Sequence, residues 1–214
     1  MKTITNYVHD LIKHQPFLED ALYRDIINFS SLAKELQPKI EQMMRKPVKE
    51  GSIVMALRRY LPRNLEMNSS FKGFGDIVFR SNITDYTFVN SNTLVQNQAK
   101  LLTDIKDNYG AYFTYASNYQ ESSIIVSSTL KPVVEEYFKD ETCICIKDDL
   151  SSLSIELPKK SSDIIGLYFY LFKLLAYEGI PVFEIISTSN YFTIFLEKEY
   201  ANKAFILMNE IKSF

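Results

Sequence analysis

The side chains that most often carry chemistry are few in this sequence, and they do not converge. Its two cysteines, Cys143 and Cys145, stand in Thr-Cys-Ile-Cys-Ile, a spacing that puts both on one face of a strand. A metal site needs more ligands than the neighbouring sequence offers. His9 and His14 are the two imidazoles, and their spacing misses the i, i+4 register that aims a pair at one ion. No metal and no cofactor are expected. A Gly-rich phosphate loop, a His-rich metal motif and a nucleophile elbow are all missing from the string. Acid–base pairs among the 26 Asp and Glu are what is left for a catalytic reading. The densest polar constellation is Lys160-Ser-Ser-Asp-Ile-Ile-Gly166, directly ahead of the most apolar run of the chain. Hydroxyls and a carboxylate at such a place are ordinary helix N-cap residues.

The elements that must position these groups fall into two textures. Residues 1–65 read as helix throughout. Ile4, Val8, Leu11 and Ile12 form one stripe, and Leu18, Ala21, Leu22 and Ile26 form another after Pro16. Ser30 is expected to cap a helix holding Leu32 and Leu36, with Pro38 forcing a kink or restart before Ile40. A last helix over about 51–61 carries Ile53, Ala56, Leu57, Tyr60 and Leu61 on one face, and Pro62 ends it. Residues 62–75 read as a connection between domains. Residues 1–65 hold 11 Lys/Arg against 7 Asp/Glu, and the remainder 13 against 19, an asymmetry that suggests different partners for the two parts.

Beyond the connection the chain repeats. A strand at 83–91, a helix at 94–109 and Gly110 precede strands at 111–117 and 123–127, a helix at 131–138 and a strand at 142–147. A strand at 152–158, a helix at 164–178 and Gly179 then precede strands at 182–187 and 192–197 and a helix at 201–211. The same spacing separates 83 from 152 and 110 from 179. Both glycines stand where a helix must turn into a strand, a place that favours left-handed backbone. The order β-α-β-β-α-β is that of a split βαβ, ferredoxin-like unit. The helix at 164–178 has apolar residues for more than one face, so a second covering surface is expected. The start of the chain meets charge too early for a secretory signal, and no apolar run is long enough to span a bilayer. A cytoplasmic protein without a membrane partner is expected, and the two cysteines suit a reducing compartment.

The second copy resembles ACT domains, in particular the regulatory repeats of aspartokinases. The residues that carry this are Asp163-Ile-Ile-Gly166, Leu174-Leu-Ala-Tyr-Glu-Gly-Ile-Pro-Val182, Ile185-Ile-Ser-Thr-Ser189 and Phe192-Thr-Ile-Phe-Leu196. The match covers 152–214; over 76–150 it rests mainly on the repeat. Aspartokinases open on a kinase domain with a Lys-Phe-Gly-Gly type loop, and the nearest string here, Lys72-Gly-Phe-Gly75, reads as linker. Phosphoryl transfer is therefore not carried over, and the expectation is a protein that is not an enzyme. The resemblance implies a small-molecule effector, an amino acid, held beside the loop joining first strand to first helix, and a homo-oligomer built through these modules. Here that loop and its neighbouring turn are Ser161, Ser162, Asp163, Ile164, Ile165, Gly166, Ser187 and Thr188. A ligand carboxylate would take the N–H groups of the helix end, and Asp163 would meet an ammonium. Plain capping and a plain hairpin turn are the competing accounts of the same residues.

Residues 28–36 and 48–59 resemble the two core helices of helix-turn-helix DNA-binding domains, with an intervening stretch, 37–47, longer than the usual turn. Leu32, Ala33 and Leu36 would meet Ile53, Ala56 and Leu57. Lys49, Ser52, Arg58 and Arg59 are the candidate nucleic-acid contacts that this resemblance implies. A solvated helix end is the other account of the arginines. The expected fold is α+β: a helical, helix-turn-helix-like domain over 1–65, then two tandem ferredoxin-like βαββαβ ACT-type modules over 76–150 and 151–214. The expected function is metabolite sensing that controls DNA binding. The alternative is a regulatory or scaffold subunit docking on a metabolic enzyme.

Overall fold

The computed structural model describes residues 2–60, 73–108 and 110–213 and divides into two compact units, 1–67 and 68–214. Most of the proposed connection, with Leu61 and Pro62, lies outside the described residues.

Unit one is helical: α1 (Ile4–Ile12), α2 (Pro16–Tyr23), α3 (Phe29–Met44) and α4 (Glu50–Arg58). Helix α3 corrects the expected cap and the expected restart at Pro38. Its N-cap is Asn28, whose Oδ1 accepts from the N–H groups of Ser30 and Ser31 at 3.0 and 3.1 Å, so Ser30 lies inside the first turn. Pro38 neither stops nor restarts it. The N–H that proline lacks costs one helical bond, but Leu32, Ala33, Leu36 and Ile40 bury one face across both sides of it. Only residues 45–49 then separate α3 from α4. Arg45 turns the chain in left-handed backbone at φ 52°. Gln37 donates to the Val48 carbonyl at 2.8 Å, and Glu41 accepts from the Val48 N–H at 2.9 Å, fixing that connection.

Unit two is one antiparallel sheet of six strands in the order β2-β3-β1-β4-β6-β5. The strands are β1 (Ile77–Val89), β2 (Phe113–Ser117), β3 (Glu121–Ser127), β4 (Cys143–Glu156), β5 (Glu184–Ser187) and β6 (Tyr191–Glu197). The helices are α5 (Leu94–Ile105), α6 (Lys131–Tyr137), α7 (Leu167–Tyr177) and α8 (Lys198–Ser213). The two central strands are long and pair along their whole length, from Ile77 opposite Ile155 to Phe88 opposite Cys143. Where two strands, 142–147 and 152–158, were expected, β4 is continuous; β1 likewise starts before the expected 83. Each is bent in its middle by a residue in left-handed backbone, Asn82 and Asp149, both at φ 56°. Asn and Asp tolerate that conformation better than other side chains, and the pairing register shifts beside them.

This geometry replaces the expected succession of two separate modules. Half one consists of residues 83–89, α5, β2, β3, α6 and the start of β4. Half two consists of the rest of β4, α7, β5, β6 and α8, completed at the sheet by residues 77–80 of β1, which pair with 152–155. The second half therefore borrows a strand that precedes the first half in sequence. Each half buries its own core beneath its helices: Tyr86, Phe88, Leu101, Ile124, Val126 and Val134 in one, Leu153, Ile155, Leu171, Phe192, Ile194 and Ala204 in the other. On the opposite face Ile83, Leu150, Ile125 and Phe195 meet at the centre, all buried. Ile83 pairs with Leu150 and with Ser127, and Leu150 pairs with Glu197. Corresponding places in the two halves are thereby fixed: Asn82 with Asp149, Ile83 with Leu150, Ser127 with Glu197.

Gly179 has the left-handed backbone expected of it, φ 63°, whereas Gly110 adjoins Tyr109, outside the described residues. Truncation at the sheet centre tests the interlocked strands. Leu150→Ala should cost about 2–5 kcal/mol. Because β1 and β4 run through both halves, unit two should lose its structure in a single transition, measured by circular dichroism in denaturant. Sequential loss of the halves would contradict the shared-strand architecture.

Candidate functional site

The loop at 161–166 does not begin a helix where the sequence suggested. Ser161–Asp163 form a separate 3-10 turn, Ile164 is extended, and α7 starts only at Leu167. Its N-cap is Gly166 at φ 83°, a conformation open to glycine without strain, and no side chain caps the helix. Capping by Ser161, Ser162 or Asp163 is thus corrected. Ser161 is buried and donates to the Ser189 carbonyl at 3.3 Å. Ser162 donates to Asp163 at 3.3 Å, and both are exposed, as is Ile165. A helix whose first N–H groups lack a cap keeps the positive end of its dipole for another acceptor.

The second expected segment lies beside it. Ser187 ends β5 and is hydrogen-bonded to the Tyr168 hydroxyl at 2.7 Å, tying the strand to the first turn of α7. Thr188 Oγ1 accepts from the Tyr191 N–H at 3.2 Å within the β5–β6 turn, an ordinary hairpin role. The Leu157 N–H donates to Asn190 at 2.7 Å, docking that turn against the loop. The loop and the turn are thereby joined through Ser161 to the Ser189 carbonyl and through Tyr168 to Ser187. Thr188 serves its own turn.

Half one answers the same local problem with its own atoms. Ser91 Oγ accepts from the Leu94 N–H at 3.0 Å and so caps α5. Over that helix end sits the carboxylate of Glu141, which accepts from Ser91 at 2.5 Å, Thr93 at 2.7 Å and Asn97 at 2.8 Å. Burial works to raise the pKa of Glu141, but the three donors outweigh it and hold the group below its ordinary value. Sequence reading missed Glu141, which lies 50 positions from Ser91 and in no motif with it. Tyr168, within the apolar run of the sequence, uses its hydroxyl for the connection to Ser187.

In unit one Lys49, Ser52, Arg58 and Arg59 are all exposed, while Ile53, Ala56 and Leu57 of α4 are buried with Leu32, Ala33 and Leu36. Arg58 is set apart: its guanidinium lies over the Phe29 ring, 5.8 Å from the centroid. Among the described residues no three of His, Cys, Asp and Glu are placed to hold a metal ion, and no helix is long and apolar enough to cross a membrane.

Several solved structures share this fold. The regulatory subunit of aspartate kinase from Thermus thermophilus, in a ligand-free form, superposes with a TM-score of 0.50 at 11% identity, over 63% of this chain and 95% of that one. A structure of aspartokinase alpha and beta subunits gives 0.51 at 14% identity, over 66% of this chain and all of that one. Aspartate kinase from Clostridium acetobutylicum gives 0.50 at 18% identity, but the match spans only 34% of that enzyme. At these identities the likeness is one of fold. No protein-family model matches the chain, and no curated protein sequence does.

The Glu141 cap has a pH signature. Glu141→Gln should lower stability at pH 7 by about 1 kcal/mol, since three hydrogen bonds to a charged acceptor become bonds to a neutral one at a partly exposed place. A carboxylate depressed in the folded state stabilises fully above its unfolded value, near 4.5, and loses that contribution as pH falls through its folded value. The gap between wild type and variant, read by denaturant unfolding, should therefore close on acidification. A gap independent of pH would show that the charge is not what α5 uses.

Proposed function

We propose that unit two senses a small amino acid at the end of the sheet formed by the 161–166 loop, and that the chain is a non-catalytic regulator, oligomeric through its two ACT-like modules. The observation that carries this is the contrast between two helix ends. In half one Glu141 supplies a carboxylate to the start of α5, where Thr93 donates to it. In half two α7 starts without a side-chain cap, and the adjoining turn presents Asp163, an acceptor. A helix end asks for an anion and Asp163 asks for a cation, and a zwitterion with both on one carbon satisfies the pair. Similarity in fold to regulatory subunits of aspartate kinase agrees with this reading. Thermal unfolding against the twenty amino acids tests it. At least one should raise the midpoint in a saturable way, and Asp163→Asn should abolish the shift while leaving the apo midpoint nearly unchanged. Twenty null results, or a shift indifferent to Asp163→Asn, would remove the loop as the effector site.

For unit one a second reading is favoured by the side chains on α4. Ser52 is exposed on α4, Lys49 and Arg59 are exposed at its N-cap and C-cap, and Ile53, Ala56 and Leu57 are buried. That arrangement suits a helix contacting nucleic-acid phosphates and base edges. Filter binding of the full chain to duplex DNA, in stepped salt, should show affinity falling with a log–log slope of about −2 for the two cations Lys49 and Arg59. Lys49→Ala should reduce the slope. Absence of salt-dependent binding would leave docking on a metabolic enzyme as the output.

A further inference from the structure

A second difference between the halves lies at the other end of their shared strands. With Asn82 matched to Asp149 and Ser127 to Glu197, Thr84 corresponds to Ser151, Asp148 to Ser81, Ser128 to Lys198 and Lys131 to Ala201. In half one these side chains close on one another. Asp148 Oδ1 accepts from Thr84 at 2.8 Å, Thr84 Oγ1 lies 2.8 Å from Ser128 Oγ, and Lys131 Nζ reaches both Asp148 oxygens at 2.7 and 2.8 Å. The Lys131 ammonium and the Thr84 hydroxyl together hold Asp148 below the usual carboxylate range.

In half two the carboxylate is gone. Ser81 takes the place of Asp148 and Ala201 that of Lys131, and a cavity of about 430 Å³ opens there. All four of the corresponding residues, Ser81, Ser151, Lys198 and Ala201, line it, with apolar walls from Phe79 and Phe205. Ser151 is 1% exposed, and among the described residues its Oγ has no hydrogen-bond partner, an unfavourable condition for a buried hydroxyl. Lys198, at the start of α8, makes no ion pair among the described residues. A buried hydroxyl, a lysine outside any ion pair of the described residues though bordered by Asp149, Glu197 and Glu199, and an apolar wall converge on one space.

We propose that this cavity between residues 79–81, Ser151 and α8 binds a small aliphatic or aryl monocarboxylate, distinct from the effector of the 161–166 loop. Its carboxylate occupies the place that Asp148 fills in the other half, accepting from Ser151 as Asp148 accepts from Thr84. Lys198 supplies the counter-charge from the Ser128 position. The hydrocarbon part lies between Phe79 and Phe205. One lysine and largely apolar walls match a singly charged acid with a greasy tail better than a phosphate or a dicarboxylate.

The experiment is calorimetric titration of the full chain with 3-methylbutanoate and with phenylacetate, beside the neutral 3-methylbutanamide. Both acids should bind saturably, and the amide at least about tenfold more weakly, as expected when a charge-assisted contact is lost. Ser81→Asp installs an internal carboxylate beside Lys198. It should raise the apo melting midpoint and weaken both acids by at least about tenfold. Ser151→Ala, which removes the unsatisfied hydroxyl without adding bulk, should fold at least as well as wild type and weaken both acids severalfold. Asp163→Asn should leave this binding intact, which separates it from failure or success of the loop site. Absence of binding by either acid, equal binding of the amide, or acid affinities unmoved in both Ser81→Asp and Ser151→Ala would overturn the proposal.

Discussion

The antiparallel pairing of β1 with β4 is the constraint on which unit two depends. Two strands of 13 and 14 residues run side by side, and each serves one half with its first part and the other half with its second. Such length is well above the usual strand, and a straight pair would twist its ends away from the helices that must cover them. The left-handed residues Asn82 and Asp149 absorb this by bending the two strands at corresponding places near their middles. Ile83 and Leu150, next to the bends, are fully buried and pair with each other. Neither half has a complete sheet without the strand the other supplies.

Near-symmetry makes the departures from it informative. Half one is closed by its own acids: Glu141 over the start of α5, Asp148 between Thr84 and Lys131. Half two keeps the helix ends, the hydroxyls and a lysine, and lacks both carboxylates. Loss of an internal acid leaves donors that burial makes expensive to leave unpaired, and the unpartnered Ser151 is the visible remnant. One half thus displays, in covalent form, the groups that the other half would take from solution. The same comparison separates the two places chemically. Asp163 stands in the loop ahead of α7, where the half-one loop 90–93 has no acid, whereas the α8 cavity is lined by Ser81, Ser151, Lys198, Asn202 and hydrocarbon.

Much of the fold was legible in the sequence, because alternating apolar residues and a single period fix strands and helices locally. The short helix α6, the β6 strand and the face of α4 lie close to where the pattern puts them. What was not legible depends on distant pairing. Residues 77–82 carry Arg80, Ser81 and Asn82 and show no apolar alternation; they are strand because β4 supplies their partners. The start of α7 was placed early because Ile164 and Ile165 look like helix, yet Gly166 sets the boundary by adopting φ 83°. Ser161, Ser162 and Asp163 could be picked out by residue type, while Glu141 could not. Its role exists only because β4 begins beside α5, a juxtaposition that no local pattern encodes. Thr84, Asp148 and Lys131 escaped notice for the same reason.

The shared strands also bear on how a ligand could be felt at a distance. A group that binds the folded form stabilises it by an amount set by its affinity and concentration, and that free energy belongs to whatever cooperative unit the site is part of. The α8 cavity is floored by residues of both long strands, Phe79 and Ser81 from β1 and Ser151 from β4. Those strands continue directly into half one: β1 reaches the Asn90–Ser91 turn ahead of α5, and β4 is entered just after Glu141. Bending at Asn82 and Asp149 is therefore common to the cavity and to the Glu141 cap. A ligand bound in the cavity would oppose motions that change that bend, and through the shared strands would bear on the Glu141 cap. Coupling of this kind needs no route of side chains, because a single pair of strands is the element that both places share.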